Sequence, residues 1–157
     1  DITSVSSEIT PHDPHFDQED AVAISMKFAS QAVGSFVLSD RTPSPWTWEM
    51  ALGESEKFPK TGMNAIRFLG TEGALEFPNL VLWRHAEGNG NWHHEIRPEV
   101  IDAPFIDAYV AQCAHLRAVT RGLETPIIDA LNGSRSLDAT LAAARAATSG
   151  TRIKLSM

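Results

Sequence analysis

The chain has 157 residues, of which 43% are hydrophobic and 21% are charged, and it contains a single cysteine. This length and composition predict one globular domain with a hydrophobic core, and they exclude a disordered or disulfide-stapled chain. The net charge of -7 and the absence of any apolar run of roughly 20 residues argue against nucleic-acid and membrane partners, so we predict a cytoplasmic protein.

The first part of the chain predicts antiparallel strands. Residues 1–9 favour a strand, and the polar, proline-containing residues 10–20 favour a loop, so residues 1–20 form a lead-in. Residues 22–28 alternate between apolar and polar side chains, as in a half-buried strand, and residues 32–39 follow as a hairpin partner. Alternation at Trp46, Trp48, Met50 and Leu52 predicts a third strand.

Two further hairpins are expected before the helices. Residues 64–69 and 74–77 flank the turn Gly70-Thr71-Glu72-Gly73. Pro78-Asn79 then turns the chain into residues 80–85, and residues 92–97 predict a strand that Pro98 ends. Residues 21–97 are therefore predicted to be antiparallel strands.

The hydrophobic period then changes to that of helices. Asp102 and Pro104 predict the start of a first helix, and Gly122 predicts its end. A second helix is expected from the capping hydroxyl of Ser134 to Gly150. Residues 104–149 thus contain two helices, and residues 151–156 return as a strand. The order predicts an α+β fold with an open, mostly antiparallel β-sheet and helices packed on one face.

The sequence contains no visible cofactor or catalytic motif. Dinucleotide binding requires a glycine-rich turn between a strand and a helix, because only glycine lets the backbone approach the pyrophosphate. Gly70-Thr71-Glu72-Gly73 lies between two strands instead, so it is interpreted as a hairpin turn. We predict no catalytic, cofactor-binding or metal-binding residue in this chain.

Several stretches, in order, resemble the Gfo/Idh/MocA family of oxidoreductases, which are related to glucose-fructose oxidoreductase and inositol dehydrogenase. The stretches that carry the resemblance are residues 20–35, with an apolar strand, a small-residue turn and Gly34-Ser35; residues 66–77, with the Gly70 to Gly73 strand pair; and residues 105–126 and 131–155, which are similar to the closing helices and final strand.

The resemblance implies a carboxy-terminal domain only, because the cofactor glycines and the catalytic lysine and histidine of the family would precede Asp1. The whole chain, residues 1–157, would then be a substrate-binding and dimerisation domain without its N-terminal Rossmann domain. The parent would be an NAD(P)-dependent dehydrogenase that acts on a sugar, polyol or similar cyclic alcohol, and this fragment alone would be inactive and bind neither NAD nor NADP.

Four residues are candidates for substrate binding. Trp46 and Trp48 lie where the family faces its active site, and indole rings suit the apolar side of a sugar, although packing of both rings on the sheet is weighed equally. Arg41 could bind a substrate carboxylate or hydroxyl, or be a solvated loop charge. Tyr109 could lie at the pocket edge, or pack in the core.

Other residues have side chains typical of metal-binding, reactive or glycosylation sites, and for each of them we favour a structural role. His12, Asp13, His15 and Asp17 have the ligand types of a metal site, but their proline-broken loop favours a solvated linker. His93 and His94 should point to opposite faces of a strand. Cys113 is expected to fill the core, and Asn132-Gly133-Ser134 to cap a helix rather than carry a glycan.

Two alternatives stay open: a domain of a redox-neutral, NAD-using glycosidase of the same family, and a stand-alone binding or assembly domain. Self-association as a homodimer or larger oligomer through a sheet face is also predicted, because the strands offer two apolar-leaning faces and the helices cover only one.

Overall fold

The computed structural model describes residues 1–10, 15, 20–86 and 90–155. The chain divides into two compact units, one formed by Asp1–Thr42 with Ala118–Met157 and the other by Pro43–Arg117. In chain order the elements are β1 (Ile2–Ile9), β2 (Ala21–Phe28), β3 (Val33–Ser39), α1 (Trp48–Leu52), β4 (Ile66–Leu69), β5 (Ala74–Phe77), β6 (Val81–His85), β7 (Ile96–Val100), α2 (Ala108–Thr120), α3 (Ala130–Ser149) and β8 (Ile153–Lys154).

The first unit contains a four-stranded sheet in the order β3-β2-β1-β8. Strands β2 and β3 form the hairpin that the period-2 pattern predicted, with Ala21 opposite Ser39 and Lys27 opposite Val33. Strand β8 pairs antiparallel with β1, so the predicted final strand closes the sheet beside the first strand.

Helix α3 packs on β1 through small side chains. Ala142 and Ala146 of α3 are fully buried, and Val5 of β1 is 1% exposed. The hydroxyl of Ser7 donates a hydrogen bond to the carbonyl oxygen of Ala143. Because alanine lets a helix approach a sheet closely, this contact forms the core of the first unit.

The second unit contains a separate four-stranded sheet in the order β4-β5-β6-β7. The turn at residues 70–73 joins β4 and β5, and the Gly70 amide donates to the Gly73 carbonyl at 2.9 Å. A β-carbon on Gly73 would lie 2.7 Å from the carbonyl oxygen of Trp83, so this position of the hairpin requires glycine.

The α+β class and the antiparallel strands are confirmed, with the strands divided between two sheets. The predicted strand at residues 46–52 is wrong, because residues 48–52 form α1. The predicted strand at residues 92–97 is displaced to Ile96–Val100, and Pro98 lies inside it. Proline is tolerated there because β7 is an edge strand, on which one side of the backbone needs no ladder hydrogen bond.

Helix α2 begins later than predicted and helix α3 begins earlier, and each begins directly after an aspartate. In α2 the carboxylate of Asp107 accepts from the Val110 amide at 2.9 Å, so Asp107 replaces the predicted Asp102 as the cap. In α3 the carboxylate of Asp129 accepts from the Asn132 amide at 2.8 Å. The expected cap at Ser134 is therefore wrong. The predicted ends are confirmed, since Gly122 and Gly150 adopt positive φ angles of 71° and 64°.

Within the described ranges, no helix has the length and apolar character needed to span a membrane. The predicted loop around residues 10–20 lies mostly outside the described residues, and this includes His12, Asp13 and Asp17.

Candidate functional site

The segment that carries Trp46 and Trp48 folds around the short helix α1. The Thr47 hydroxyl accepts from the Met50 amide and caps the helix, and Gly53 ends it in the left-handed conformation at φ 67°. Ala51 is fully buried, so this side of α1 faces the interior of the second unit. The two tryptophans lie at the start of this segment.

The two indole rings have different environments. Trp48 stacks on Phe77, with ring centroids 5.6 Å apart and an interplanar angle of 26°, yet half of its surface stays exposed. Trp46 is 60% exposed. Stacking on a sheet residue fixes the Trp48 ring while leaving surface available to a ligand. The Trp48 ring therefore packs on the sheet, which was one of the two interpretations made from the sequence, and substrate binding by Trp48 stays a prediction.

Arg41 lies in the first unit, where its guanidinium forms an ion pair with Asp20 at 2.9 Å. The pair is about two-fifths exposed on the arginine side, so solvent screens it and its contribution to stability is small. The structure thus gives Arg41 a defined carboxylate partner rather than the purely solvated position considered from the sequence.

Tyr109 lies in the first turn of α2 and is 80% exposed, so the alternative of core packing is wrong. Cys113, on the same helix, is also exposed, and its expected role as a core filler is wrong. Helix α2 has no buried residue. Its apolar side chains therefore remain accessible, and Tyr109 presents its ring and hydroxyl to solvent.

A polar cavity of about 630 Å³ lies at the β6–β7 end of the second unit. Arg84 and Arg97 stand directly opposite each other on these strands. Arg84 forms an ion pair with Glu99, and Arg97 forms one with Glu95 at 2.9 Å. Because both guanidinium groups are compensated by carboxylates, the like charges can stand side by side on the sheet.

His85 lines the same cavity, and sequence reasoning did not select it. Its Nδ1 atom is buried and has no hydrogen-bond partner. The ring meets His94 edge-on, with centroids 6.4 Å apart, and the backbone of Gly90 lies against it. His94 belongs to the turn before β7, where its Nδ1 accepts from the Asn91 amide. The expected placement of His93 and His94 on a strand is therefore wrong.

The first unit contains a smaller cavity of about 210 Å³, next to the first half of α3. Arg135 lines it and pairs with the Asp1 carboxylate at 3.1 Å, while Phe28 supplies an apolar wall. A third cavity lies over the turn at residues 70–73. None of the four predicted substrate residues lines any of these three cavities.

No group of three or more histidine, cysteine, aspartate or glutamate side chains in the described part of the chain could hold a metal ion. Aromatic surface at Trp46, Trp48 and Tyr109 suits a ring-shaped ligand.

Comparison with known proteins finds no matching family model and no matching curated protein. Solved structures do match. An oxidoreductase from Agrobacterium radiobacter, in complex with NAD+, L-tartaric acid and magnesium, has a TM-score of 0.63 at 14% identity over 98% of this chain and 43% of its own. The aldose-aldose oxidoreductase from Caulobacter crescentus, complexed with glycerol, has a TM-score of 0.61 at 23% identity, over 98% of this chain and 41% of its own.

A third match is the WlbA dehydrogenase from Chromobacterium violaceum, in complex with NADH and UDP-GlcNAcA, with a TM-score of 0.55 at 18% identity. It is matched over 99% of this chain and 41% of its own. The chain thus spans less than half the length of each of these structures. The structural neighbours are oxidoreductases of the Gfo/Idh/MocA type, and this chain has the fold of one part of such an enzyme.

Proposed function

We propose that the chain is the substrate-binding and oligomerisation domain of an NAD(P)-dependent oxidoreductase that acts on a sugar, polyol or similar cyclic alcohol. The observation that carries the proposal is the fold match, which extends over 98% of this chain and only 43% of the first matched oxidoreductase. The domain would thus be one portion of a larger enzyme.

The architecture supports a division of labour between this chain and another part of the parent. Dinucleotides bind at a parallel strand-helix-strand unit, where a glycine-rich turn meets the phosphates. All strand pairs in the described residues are antiparallel. We therefore propose that NAD or NADP binds in an N-terminal Rossmann domain of the parent and that this fragment alone is inactive.

For the substrate we propose that Arg41, Trp46, Trp48 and Tyr109 are the binding residues. The three aromatic residues each have at least half of their surface exposed. Trp48 is the strongest candidate, because Phe77 holds its ring in one orientation. A pre-oriented ring loses little side-chain entropy when a sugar stacks on it.

The test uses the full-length parent enzyme, assayed by nicotinamide reduction with a panel of sugars and polyols. In Trp48→Ala we expect KM to rise about tenfold with a smaller change in kcat, which corresponds to about 1.4 kcal/mol of lost substrate binding. Trp92→Ala is the matched control, because Trp92 lies in the same unit and is fully exposed. Equal effects of the two substitutions would contradict the assignment of Trp48, and a parent without nicotinamide-dependent activity would contradict the proposed function.

Self-association is part of the proposal. Valine, leucine and phenylalanine side chains on the strands remain more than two-fifths exposed, including Val33, Val37, Phe36 and Leu69. Apolar surface on sheets of this kind is usually covered by a partner.

A further inference from the structure

The second unit contains two adjoining cavities, which together we call the hairpin cleft. One is the polar cavity of about 630 Å³ at the β6–β7 end. The other, over the turn at residues 70–73, has a volume of about 570 Å³. Thr71, Glu72 and Arg84 line both cavities. Each volume lies within the range of about 300–1,000 Å³ that is typical of small-molecule sites.

An apolar row crosses the hairpin cleft on the sheet face that also carries Phe77. Phe68 on β4, Leu75 on β5 and Leu82 on β6 stand directly opposite one another, so their side chains share this face. Phe77, on which Trp48 stacks, is two positions from Leu75 on the same strand and therefore belongs to the same face. The apolar row is about 7 Å along β5 from Phe77.

Two glycines leave the next row open on one side. Gly70 and Gly73 lie just past the paired residues of β4 and β5, where the Gly70 amide donates to the Gly73 carbonyl. A β-carbon on Gly73 would lie 3.0 Å from Cγ of Arg84, which is closer than side-chain atoms normally approach. Because glycine lacks this atom, space remains beside the stem of Arg84.

The other side of the same row is charged. Arg84 and Arg97 stand opposite each other in it, and Glu99 continues the apolar row on β7. The Nη2 atom of Arg84 contacts Glu99, and the Nη2 atom of Arg97 contacts Glu95. A guanidinium has five N–H donors, so both arginines keep donors for a ligand.

The charged residues that line the hairpin cleft balance one another. Two arginines, Arg84 and Arg97, face two glutamates, Glu72 and Glu99. Glu72 forms no ion pair with another described residue. An anion in the cleft would meet both carboxylates, and a cation would meet both guanidinium groups. The lining therefore disfavours a ligand that carries a net charge.

A neutral ring with several hydroxyl groups fits this lining. A hydroxyl both donates and accepts, so it can accept from an arginine and donate to the Glu72 carboxylate. Hydrogen bonds to charged groups are stronger than those between neutral groups. Phe68 is 55% exposed, and its ring can pack against the apolar side of a sugar. The ligand chemistry indicated by charge and by shape is that of a saccharide.

We propose that the hairpin cleft binds the second ring of a glycoside whose first ring lies on Trp48. The parent's preferred substrates are then disaccharides or longer glycosides rather than single sugars. This proposal rests on the proposed function, because it requires a sugar at Trp48. From Phe77 the apolar row is about 7 Å away and the arginine row about 14 Å away. One six-membered ring cannot reach from Trp48 into both rows, whereas two linked rings along the strand direction can.

The experiment compares kcat/KM of the full-length parent for two substrates. One is the monosaccharide that it oxidises best, and the other is the best of the disaccharides that glucose forms with that monosaccharide. We expect the disaccharide to be preferred by about tenfold or more. Phe68→Ala and Arg84→Met should each lower kcat/KM about tenfold for the disaccharide and leave the monosaccharide unchanged.

Two control variants match these substitutions on the opposite face of the same sheet. Ile96→Ala removes an apolar side chain that is 54% exposed, close to the value for Phe68. Arg67→Met removes a guanidinium that is paired with Glu76 in the way that Arg84 is paired with Glu99. Neither control should change the preference for the disaccharide. Circular dichroism of each variant checks that the fold is intact.

The outcomes separate this proposal from the proposed function. Equal kcat/KM for the two substrates in wild type overturns the second-ring site. A preference that Phe68→Ala and Arg84→Met leave unchanged overturns it as well, and so does a loss that is equal for both substrates. A parent without nicotinamide-dependent turnover contradicts the proposed function instead. Calorimetric titration of the 157-residue chain with cellobiose and maltose then tests the cleft directly. Binding that Phe68→Ala abolishes supports the proposal, and no binding at millimolar concentration refutes it.

Discussion

Replacing Ala142 by leucine tests whether small residues hold α3 against its sheet. Ala142 is 0% exposed and belongs to the same helix as the buried Ala146. The substitution extends the side chain by an isopropyl group at a fully buried position. The helix must move away from β1, or neighbouring side chains must leave their preferred rotamers.

The magnitude follows from two contributions. Overpacking a core position costs about 1–3 kcal/mol, and loss of the hydrogen bond from Ser7 to the Ala143 carbonyl costs about 1 kcal/mol more. A loss of about 2–4 kcal/mol is a large fraction of the roughly 5–15 kcal/mol of a typical domain. At about 2–4 °C per kcal/mol for a chain of this size, Tm should fall by roughly 10 °C.

Urea and thermal unfolding followed by circular dichroism measure this change. Ala144→Leu is the matched control, because Ala144 is exposed and lies about 200° around the helix from Ala142. Both variants change intrinsic helix propensity by only about 0.2 kcal/mol. The reasoning is refuted if the two variants unfold within about 0.5 kcal/mol of each other, the usual range for surface substitutions.

Two further substitutions test local geometry. Gly90→Ala should destabilise the second unit by about 1–3 kcal/mol, because the new β-carbon would lie 2.2 Å from Cγ of His85. Gly133→Ala is the control, because nothing lies within 4 Å of a β-carbon at that position. Equal melting temperatures of the two variants would contradict the contact at Gly90. The Asn132 amide, as the main cause, lowers the pKa of Asp129 below its ordinary value. The Asp129 carboxylate therefore stabilises the helix above its ordinary pKa, and this stabilisation is lost as the pH falls through the lowered pKa. Asp129→Asn should therefore lose less helix than wild type when the solution is acidified. Circular dichroism titrations in which the two proteins lose helix equally would contradict this.

The sequence by itself determined the local structure of much of the chain. Alternation over residues 22–28 fixes which side chains of β2 share a face, because a strand has a period of two. Gly122 and Gly150 mark helix ends, because each adopts a positive φ angle that other residues rarely accept. The resemblance carried by ordered stretches of sequence was confirmed at the level of the fold.

Where the sequence of a segment was compatible with two kinds of secondary structure, tertiary structure decided between them. Trp46, Trp48 and Met50 alternate as in a strand, yet the Thr47 cap, the left-handed Gly53 and the buried Ala51 make a single helical turn there. A segment of this length satisfies both periods, so only its packing selects one. The same holds for Pro98, which ends a central strand but is accepted in β7 because this strand lies at an edge.

The candidate sites depended most on contacts between distant residues. Tryptophans are recognisable in the sequence, but the stacking of Trp48 on Phe77 and the exposure of Tyr109 are not. Pairing of β4 with β5 and of β5 with β6 alone brings Phe68, Leu75 and Leu82 into one row. Sequence periodicity specifies which face of a strand a residue occupies. The neighbours of that residue across the face depend on which strands pair, and the pairing is determined by the free energy of the whole fold.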